Sequence, residues 1–307
     1  MSICVLGIFV ADLVFVADSI PVKGQTVVGN RRFVGPGGKG SNQAIAAARA
    51  GGNVSFLTKL GEDDYSKMAI DLYKQAKINF QGIVIDKNTL TGAAAILVNE
   101  KTGENAINVV TGAAGSIDIK YIENSIDIIK QSKIFLAQLE SPKDATFEAL
   151  KKAKEFGCTT ILNPAPASDI PDEYFSLIDF FTPNEKEAEY FINKPIENEK
   201  DCLDAARSLL LKGVKNVIIT LGDKGCYFKN SEEEFLVPAT KLNKKVKDTT
   251  GAGDAFNGAL CVGLSQNKNY KQSIEFANLV AGISVTRDGA ANSMPYLNEI
   301  EEMINGI

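Results

Sequence analysis

Residues 248–259 read DTTGAGDAFNGA and give the strongest indication of local structure in this chain. Small residues precede the apolar run AFNGALCVGL, a pattern that predicts a glycine-rich turn at the amino-terminal end of a helix. At such an end, unpaired backbone N–H groups and the helix dipole attract an anion. Asp254 belongs to the first turn of this helix and therefore lies beside the predicted anion site.

A carboxylate at this position has two interpretations. Asp254 can cap the helix, which is a common role for Asp near a helix start. It can also act as a general base that removes a proton from a hydroxyl, while the backbone amides of Gly251, Ala252 and Gly253 stabilise charge on a transferred phosphoryl group. The small side chains of the turn favour the second interpretation, because they let a ligand approach the backbone closely.

Strand and helix patterns alternate through the rest of the chain. Segments typical of buried strands occur at 3–7, 53–61, 133–140, 158–163, 178–184 and 216–222. Between them, runs such as SNQAIAAARAG and SPKDATFEALKKAKEFG have the pattern of amphipathic helices that end at Gly. This alternation predicts an α/β fold with a doubly wound, mostly parallel sheet, helices on both faces, and ligands bound beyond the carboxyl ends of the strands.

Two segments interrupt the alternation. Residues 8–34 contain strand-like runs without a helix, and residues 92–110 have the pattern of a β-hairpin that turns at 101–103. We expect these insertions to form a small β-sheet lid on a single domain spanning residues 1–307, since no linker or repeat marks a second domain. An exposed face or edge of such a sheet favours pairing with a second copy, which predicts a homodimer through the lid.

A second glycine-rich motif, GPGGKGSNQA, occupies residues 35–44 and contains a GxGxxG pattern. A dinucleotide-binding fingerprint is rejected because the preceding GNRRFV is a poor buried parallel strand and Pro36 stiffens the turn. A P-loop is excluded because GxxxxGK[ST] is absent. The motif is interpreted as a backbone nest that opens a helix, with Lys39 and Asn42 offered to a hydroxyl-rich ligand. A plain glycine loop with a helix cap is the alternative.

Two further motifs each have two interpretations. In TPNEKEAE at 182–189, Asn184 and Glu187 are three residues apart on one helical face. They form either a capping box or a pair of oxygen ligands that hold hydrated magnesium on nucleotide phosphates. TLGDKG at 220–225 follows a strand and indicates either a nucleotide contact or a simple hairpin.

The composition excludes several classes of function. The 307-residue chain has 33 Lys and Arg, 38 Asp and Glu, a net charge of −5 and no His. We therefore expect no nucleic-acid partner and no mechanism that needs imidazole. The apolar runs are too short for a membrane span and the amino terminus has no basic leader, so we expect neither membrane association nor secretion. Five scattered cysteines without a CxxC pair predict unpaired thiols in a reducing cytoplasm.

Together, these motifs resemble those of the PfkB carbohydrate kinase family, and within it the ribokinases. The resemblance covers essentially the whole chain, and its motifs occur in the family's order. They are GGKGSNQA at 37–44 with Gly51 and Gly61, QLE at 138–140, NPAP at 163–166, TPNEKEAE at 182–189, TLGDKG at 220–225, DTTGAGDAFNGA at 248–259 and VTRDGAANSMP at 285–295.

The resemblance implies a ribokinase-like fold and ATP-dependent phosphate transfer to a sugar hydroxyl, with ribose to ribose 5-phosphate as the expected reaction. It gives Asp254 the role of the base, and Gly251, Ala252 and Gly253 that of the anion hole. The positions implied to contact the sugar are Asp12, Gly38, Lys39, Asn42, Glu140 and Asp254. Those implied to contact ATP and Mg²⁺ are Asn184, Glu187, Thr220, Gly222, Gly225, Gly253 and Asn278.

The ribokinases also carry a monovalent-cation site, which the resemblance implies here for K⁺. The matching positions are Asp248, Thr250, Ser284, Arg287, Gly289 and Ser293. Backbone carbonyls would supply much of the coordination, so the side chains at these positions need not be diagnostic. A cation beside the anion hole would add positive potential there.

One departure from the family pattern concerns the sugar. Ribokinases have Asn two residues before the sugar-binding Asp, whereas this chain has Val10 before Asp12. Val10 cannot form the corresponding hydrogen bond, and a hydroxyl left unpaired there would cost about 1–3 kcal/mol. The alternatives within the family are therefore a kinase for deoxyribose, a 2-keto-3-deoxy sugar acid, another ketose or a nucleoside. A non-catalytic sugar or nucleotide sensor is the alternative from a different class, and the intact motif around Asp254 argues against it.

Overall fold

A computed structural model describes residues 2–306 of the chain. Its strands are β1 Ser2–Leu6, β2 Val10–Ala17, β3 Arg31–Gly37, β4 Asn53–Gly61, β5 Ile83–Asp86, β6 Thr91–Asn99, β7 Asn105–Gly112, β8 Ile134–Gln138, β9 Thr159–Asn163, β10 Phe180–Phe181, β11 Asn216–Thr220, β12 Cys226–Lys229 and β13 Glu234–Val237. Its helices are α1 Lys39–Arg49, α2 Asp64–Ala76, α3 Ile119–Asn124, α4 Ile126–Lys130, α5 Lys143–Glu155, α6 Asp172–Phe175, α7 Glu185–Ile192, α8 Glu199–Leu211, α9 Ala252–Ser265, α10 Tyr270–Ser284 and α11 Leu297–Gly306.

Within residues 2–306, the larger sheet has nine strands in the order β13-β12-β11-β10-β9-β8-β1-β4-β5. The strands from β11 to β5 pair in parallel, and only β12 and β13 are antiparallel to their neighbours. The predicted fold class is confirmed: a mostly parallel sheet of ribokinase-like α/β type, with a separate small sheet.

Strand β1 shows why the large sheet is covered on both faces. Ile3 and Val5 pack in one apolar cluster with residues of α1, α9 and α10. Cys4 and Leu6 point the other way and pack in a second cluster with residues of α5 and α8. A strand buried on both faces is apolar at nearly every position, which explains the unbroken run ICVL.

The small sheet has four strands in the order β3-β2-β6-β7. Strand β2 is parallel to β6, and the other two pairs are antiparallel. Strand β3 runs on through Gly35–Gly37, which the sequence predicted as part of a backbone nest before the helix, so only Gly38 remains between β3 and α1. Pro36 is tolerated because β3 is an edge strand, where a missing N–H breaks no necessary ladder bond.

Helices α1 and α9 cross very closely, which brings their amino-terminal ends together. A Cβ at Gly258 of α9 would lie 2.6 Å from the backbone oxygen of Gln43 in α1, so only Gly permits this approach. No helix within residues 2–306 has both the length and the apolar character needed to cross a bilayer. All five cysteines are buried and unpaired.

Candidate active site

A pocket of about 160 Å³ lies where α9 begins, facing the carboxyl ends of β9 and β11. This is the edge of a parallel sheet at which ligands are expected to bind. Eight residues predicted from the sequence line it: Lys39, Asn184, Glu187, Thr220, Gly251, Ala252, Gly253 and Asp254.

Asp254 lies on the floor of this pocket in the first turn of α9, and only 7% of it is exposed. Its two carboxylate oxygens accept hydrogen bonds from Asn42 Nδ2 and Gln43 Nε2, both at 2.9 Å. The N-cap position is Gly251, whose φ of 78° is in the left-handed region, and no side chain caps the helix. The carboxylate of Asp254 is therefore held by neighbouring side chains rather than used as a cap.

Burial raises the pKa of Asp254, while the charge of Lys39 and the hydrogen bonds from Asn42 and Gln43 oppose this effect. Partial burial of Lys39 would lower its pKa, but Asp254, Glu140 and Glu187 raise it overall. Lys39 thus provides a stable positive charge between three carboxylates. Of the predicted anion-hole amides, the Ala252 N–H donates to the Thr249 carbonyl at 3.2 Å.

The predicted sugar-contacting residues lie next to Asp254 on the side of α1 and the small sheet. Glu140 Oε2 accepts the backbone N–H of Lys39 at 2.8 Å, and burial raises the pKa of Glu140 to about 7. Burial also raises the pKa of Asp12 to about 6, and a Cβ at Gly37 would collide with its carboxylate. Asn42 Oδ1 is buried and has no hydrogen-bond partner in the described part of the chain, so it is an acceptor available to a ligand hydroxyl.

Asn184 and Glu187 form the capping box that the sequence left open. Asn184 Oδ1 accepts the Glu187 N–H at 2.8 Å, and Glu187 Oε2 accepts the Asn184 N–H at 2.9 Å. Burial raises the pKa of Glu187. Both residues also line the pocket beside Thr220, so the box does not remove them from the site.

Three residues predicted for the nucleotide, Gly222, Gly225 and Asn278, do not line this pocket. Gly222 and Gly225 form the turn between antiparallel strands β11 and β12, so a hairpin is present. Asn278 donates through Nδ2 to the carbonyls of Val237 and Pro238, at 3.3 and 3.1 Å. This side chain fixes the backbone that follows β13.

The residues predicted for the cation bring two loops together. The carboxylate of Asp248 accepts the N–H of Thr250 and that of Gly289, both at 2.9 Å. Burial acts to raise the pKa of Asp248, but these hydrogen bonds outweigh it and hold the pKa below its ordinary value. Three other predicted side chains bond elsewhere: Ser284 to the Ala281 carbonyl, Ser293 to the Ala290 carbonyl, and Arg287 to Glu299.

Four buried polar residues in contact with the site received no role from the sequence: Gln43, Asn163, Thr182 and Asn257. Gln43 lies in the second glycine-rich motif, Asn163 is the last residue of β9, and Thr182 follows β10. Polar residues at the carboxyl ends of buried strands were the available signal for Asn163 and Thr182.

The whole chain has relatives of known class. Residues 1–297 match the model of the pfkB family carbohydrate kinases. A ribokinase from Haemophilus influenzae is 36% identical over 99% of this chain and 98% of its own length. A deoxyribokinase from Salmonella typhi is 33% identical over 99% of both chains. A structure of Arabidopsis thaliana ribokinase complexed with ribose and ATP superposes with a TM-score of 0.91 and 27% identity, covering 98% of both chains.

The chain therefore belongs to the pfkB family of carbohydrate kinases. Within that family, it is similar over its full length to proteins named ribokinase and deoxyribokinase.

Proposed function

We propose that this protein transfers the γ-phosphate of ATP to the 5-hydroxyl of ribose. The observation that carries the proposal is the buried carboxylate of Asp254, held at the start of α9 beside a pocket at the carboxyl edge of the sheet. The ribokinase relatives and the Arabidopsis complex with ribose and ATP support the choice of sugar and nucleotide.

In the proposed mechanism, Asp254 removes the proton of the sugar hydroxyl as that oxygen attacks the γ-phosphate. Lys39 and the amino-terminal end of α9 stabilise the negative charge on the transferred group. The carboxylates of Asp12 and Glu140 and the free oxygen of Asn42 accept hydrogen bonds from the other sugar hydroxyls. The raised pKa of Asp254 favours its role as a proton acceptor.

Asn184 and Glu187 are suited to Mg²⁺ that arrives with ATP. The capping box uses one carboxylate oxygen of Glu187 and leaves the other for a metal-bound water. When bound, Mg²⁺ would neutralise charge on the phosphates. Gly222, Gly225 and Asn278 would act through the shape of the β11–β12 turn and of the backbone after β13.

A K⁺ site between the 248–250 and 284–293 segments is consistent with the contacts seen there. Asp248 Oδ1 accepts within the 248–250 segment and Oδ2 joins that segment to Gly289, which leaves coordination to backbone carbonyls, as a large monovalent cation permits. The 248–250 segment lies just before the start of α9 in the sequence. An ion held there would add positive potential to the anion site.

We also propose that the small sheet is a lid, formed by insertions at about 8–34 and 92–110 of one domain, through which two copies dimerise. Phe33, Val14, Ile96 and Ile107 form one cross-strand row. Phe33 and Ile107, at its two ends, are 52% and 55% exposed. Such apolar side chains on a small sheet are suited to burial by a second copy. The five reduced, buried thiols are compatible with a cytoplasmic protein.

The experiment is a coupled ADP-release assay with ATP and a panel of pentoses, hexoses, sugar acids and nucleosides. We expect turnover with ribose, and we expect Asp254→Asn to lower kcat by about 10²–10⁴-fold with ATP binding retained. Asp204→Asn, an exposed change on α8, is the control. Near-wild-type turnover by Asp254→Asn would show that Asp254 is not the base. No turnover with any sugar would favour a non-catalytic sugar or nucleotide sensor.

A second candidate is a kinase for 2-deoxyribose, which Val10 favours. Val10 is 4% exposed and packs in the apolar cluster that includes Ala94, on the same face of β2 as Asp12. A sugar that lacks the hydroxyl facing position 10 loses no hydrogen bond when that position is Val. The assay compares kcat/KM for the two sugars in wild type and Val10→Asn; a shift of about 10–100-fold towards ribose in the variant supports this candidate.

A further inference from the structure

A closed ring of hydrogen bonds encloses the first turn of α9. Gln43 Nε2 donates to Asp254 Oδ1 at 2.9 Å and to Asn163 Oδ1 at 3.0 Å. Asn163 Nδ2 donates to the Thr182 carbonyl at 2.9 Å, and Thr182 Oγ1 donates to Asn257 Oδ1 at 2.6 Å. Asn257 Nδ2 then donates to the carbonyl of Gly253 at 2.8 Å, so the ring returns to the residue before Asp254.

The ring is buried and its direction is fixed. Gln43 is fully buried, and Thr182 and Asn257 are each 1% exposed. The carbonyls of Thr182 and Gly253 can only accept, so the amides of Asn163 and Asn257 must present their NH₂ groups to them. Outside the ring, Gln43 Oε1 accepts from Gln138 Nε2 at 2.6 Å, which orients the Gln43 amide in the same sense.

We propose that Gln43 is a positioning residue for the kinase reaction, and that the ring it closes holds the Asp254 carboxylate in a fixed position relative to the Gly253 backbone. Gln43 does not line the pocket, so it acts through Asp254 rather than on the substrate. The proposal rests on the proposed role of Asp254 as the base.

The ring joins three parts of the fold. Gln43 belongs to α1 and Asn257 to α9. Asn163 is the last residue of β9, and Thr182 directly follows β10. A base that must accept a proton from a hydroxyl needs its oxygen within hydrogen-bond reach, and a displacement of about 1 Å can cost about 10²-fold in rate. The fully satisfied ring supplies this rigidity.

The charged groups that face Asp254 are Lys39, Glu140 and Glu187. None of them is a member of the ring, and none is altered by a change at Gln43. Loss of the Gln43 hydrogen bond removes one donor to the ionised carboxylate, so Asp254 should be protonated at higher pH.

The test uses Gln43→Met, which keeps the size of the side chain but neither donates nor accepts strongly, and Gln43→Glu, which places a second carboxyl against Asp254. Asn216→Leu is the matched control, because Asn216 is also a buried amide with two hydrogen bonds. It lies at the amino-terminal end of β11, whereas the pocket lies at the carboxyl ends of the strands. The measurements are kcat, KM for sugar and ATP, the pH profile of kcat, and ¹³C NMR titration of Asp254 in protein labelled at Asp carboxyl carbons.

We expect Gln43→Met to lower kcat by about 10–100-fold with much smaller changes in KM. We also expect it to move the acid limb of the profile and the NMR titration of Asp254 up by about one pH unit or more. Gln43→Glu should move both further, because a like charge is added. Asn216→Leu should lower the stability of the protein without moving the acid limb of the pH profile or the NMR titration of Asp254.

An unchanged acid limb and kcat in folded Gln43→Met overturn the proposal, as does a loss of kcat equalled by the control. If Gln43→Met does not fold, Thr182→Val decides instead: it removes only the hydroxyl of the ring, and an unaltered kcat contradicts the proposal. If wild type phosphorylates no sugar, the proposed function fails by itself. The NMR titration then still decides whether Gln43 controls the carboxylate of Asp254.

Discussion

The carboxylate of Glu140 should destabilise the ligand-free protein at neutral pH, and Glu140→Gln should relieve this. Burial is the largest influence on Glu140 and raises its pKa from the ordinary 4.5 to about 7, although Lys39 opposes the effect. The folded state thus binds this proton more tightly than the unfolded state. The stability contributed by Glu140 therefore falls as pH rises from about 4.5 to about 7, and stays low above that.

The magnitude follows from the two pKa values. At about 1.4 kcal/mol for each pKa unit, a rise from 4.5 to about 7 corresponds to about 3 kcal/mol in the free energy of unfolding. Because Glu140 keeps some contact with solvent, we expect about 2–3 kcal/mol. Gln is neutral at every pH and can still accept the N–H of Lys39. Glu140→Gln should therefore be more stable than wild type by this amount at pH 8.5, and by less than about 1 kcal/mol at pH 5.

The assay is urea unfolding of both proteins at pH 5 and pH 8.5 without sugar or nucleotide, with Glu123→Gln on the exposed surface of α3 as the control. Sugar binding should weaken in Glu140→Gln, since an ionised acceptor is lost, so stability and affinity move in opposite directions. A variant less stable than wild type at pH 8.5, or a stability difference equal at the two pH values, would refute this reasoning.

Three further predictions concern the cation, the small sheet and the helix crossing. Replacing K⁺ by tetramethylammonium should lower kcat, and equal rates in the two buffers would count against the cation site. If the proposed dimer forms, Ile107→Glu should convert it to a monomer in sedimentation at micromolar protein, whereas an unchanged mass would exclude the small sheet as the interface. Gly258→Val should lower the free energy of unfolding by about 2–3 kcal/mol in urea melts, because its side chain would strike the backbone of α1; wild-type stability would show that the helices can separate at no cost.

The sequence predicted most of the large sheet because its strands are buried on both faces. Such strands are rich in apolar residues, and the segment predicted from NVSFLTKLG coincides with β4 from Asn53 to Gly61. The pattern failed at residues 178–184, where only Phe180 and Phe181 form β10. Pro183 has no N–H to continue the ladder, and the Asp179 side chain takes the N–H of Thr160.

Local motifs of the site could also be predicted, but contacts between distant residues could not. The capping box of Asn184 and Glu187 is visible in the sequence because both members lie within one helical turn. Gln43 and Asp254 are 211 residues apart, and their contact depends on how closely α1 and α9 cross. No pattern of neighbouring residues reports that crossing, so the ring was found only in the folded chain.

The ring around the start of α9 also limits which acid can occupy position 254. Its bonds fix the distance from the α9 backbone to the carboxylate, and that distance suits the single methylene of Asp. Glu would carry the same charge on a chain longer by one methylene, and its carboxylate would leave the donors of Asn42 and Gln43. Position 254 therefore requires a particular side-chain length as well as an acid, and an Asp-to-Glu exchange is not a conservative one here.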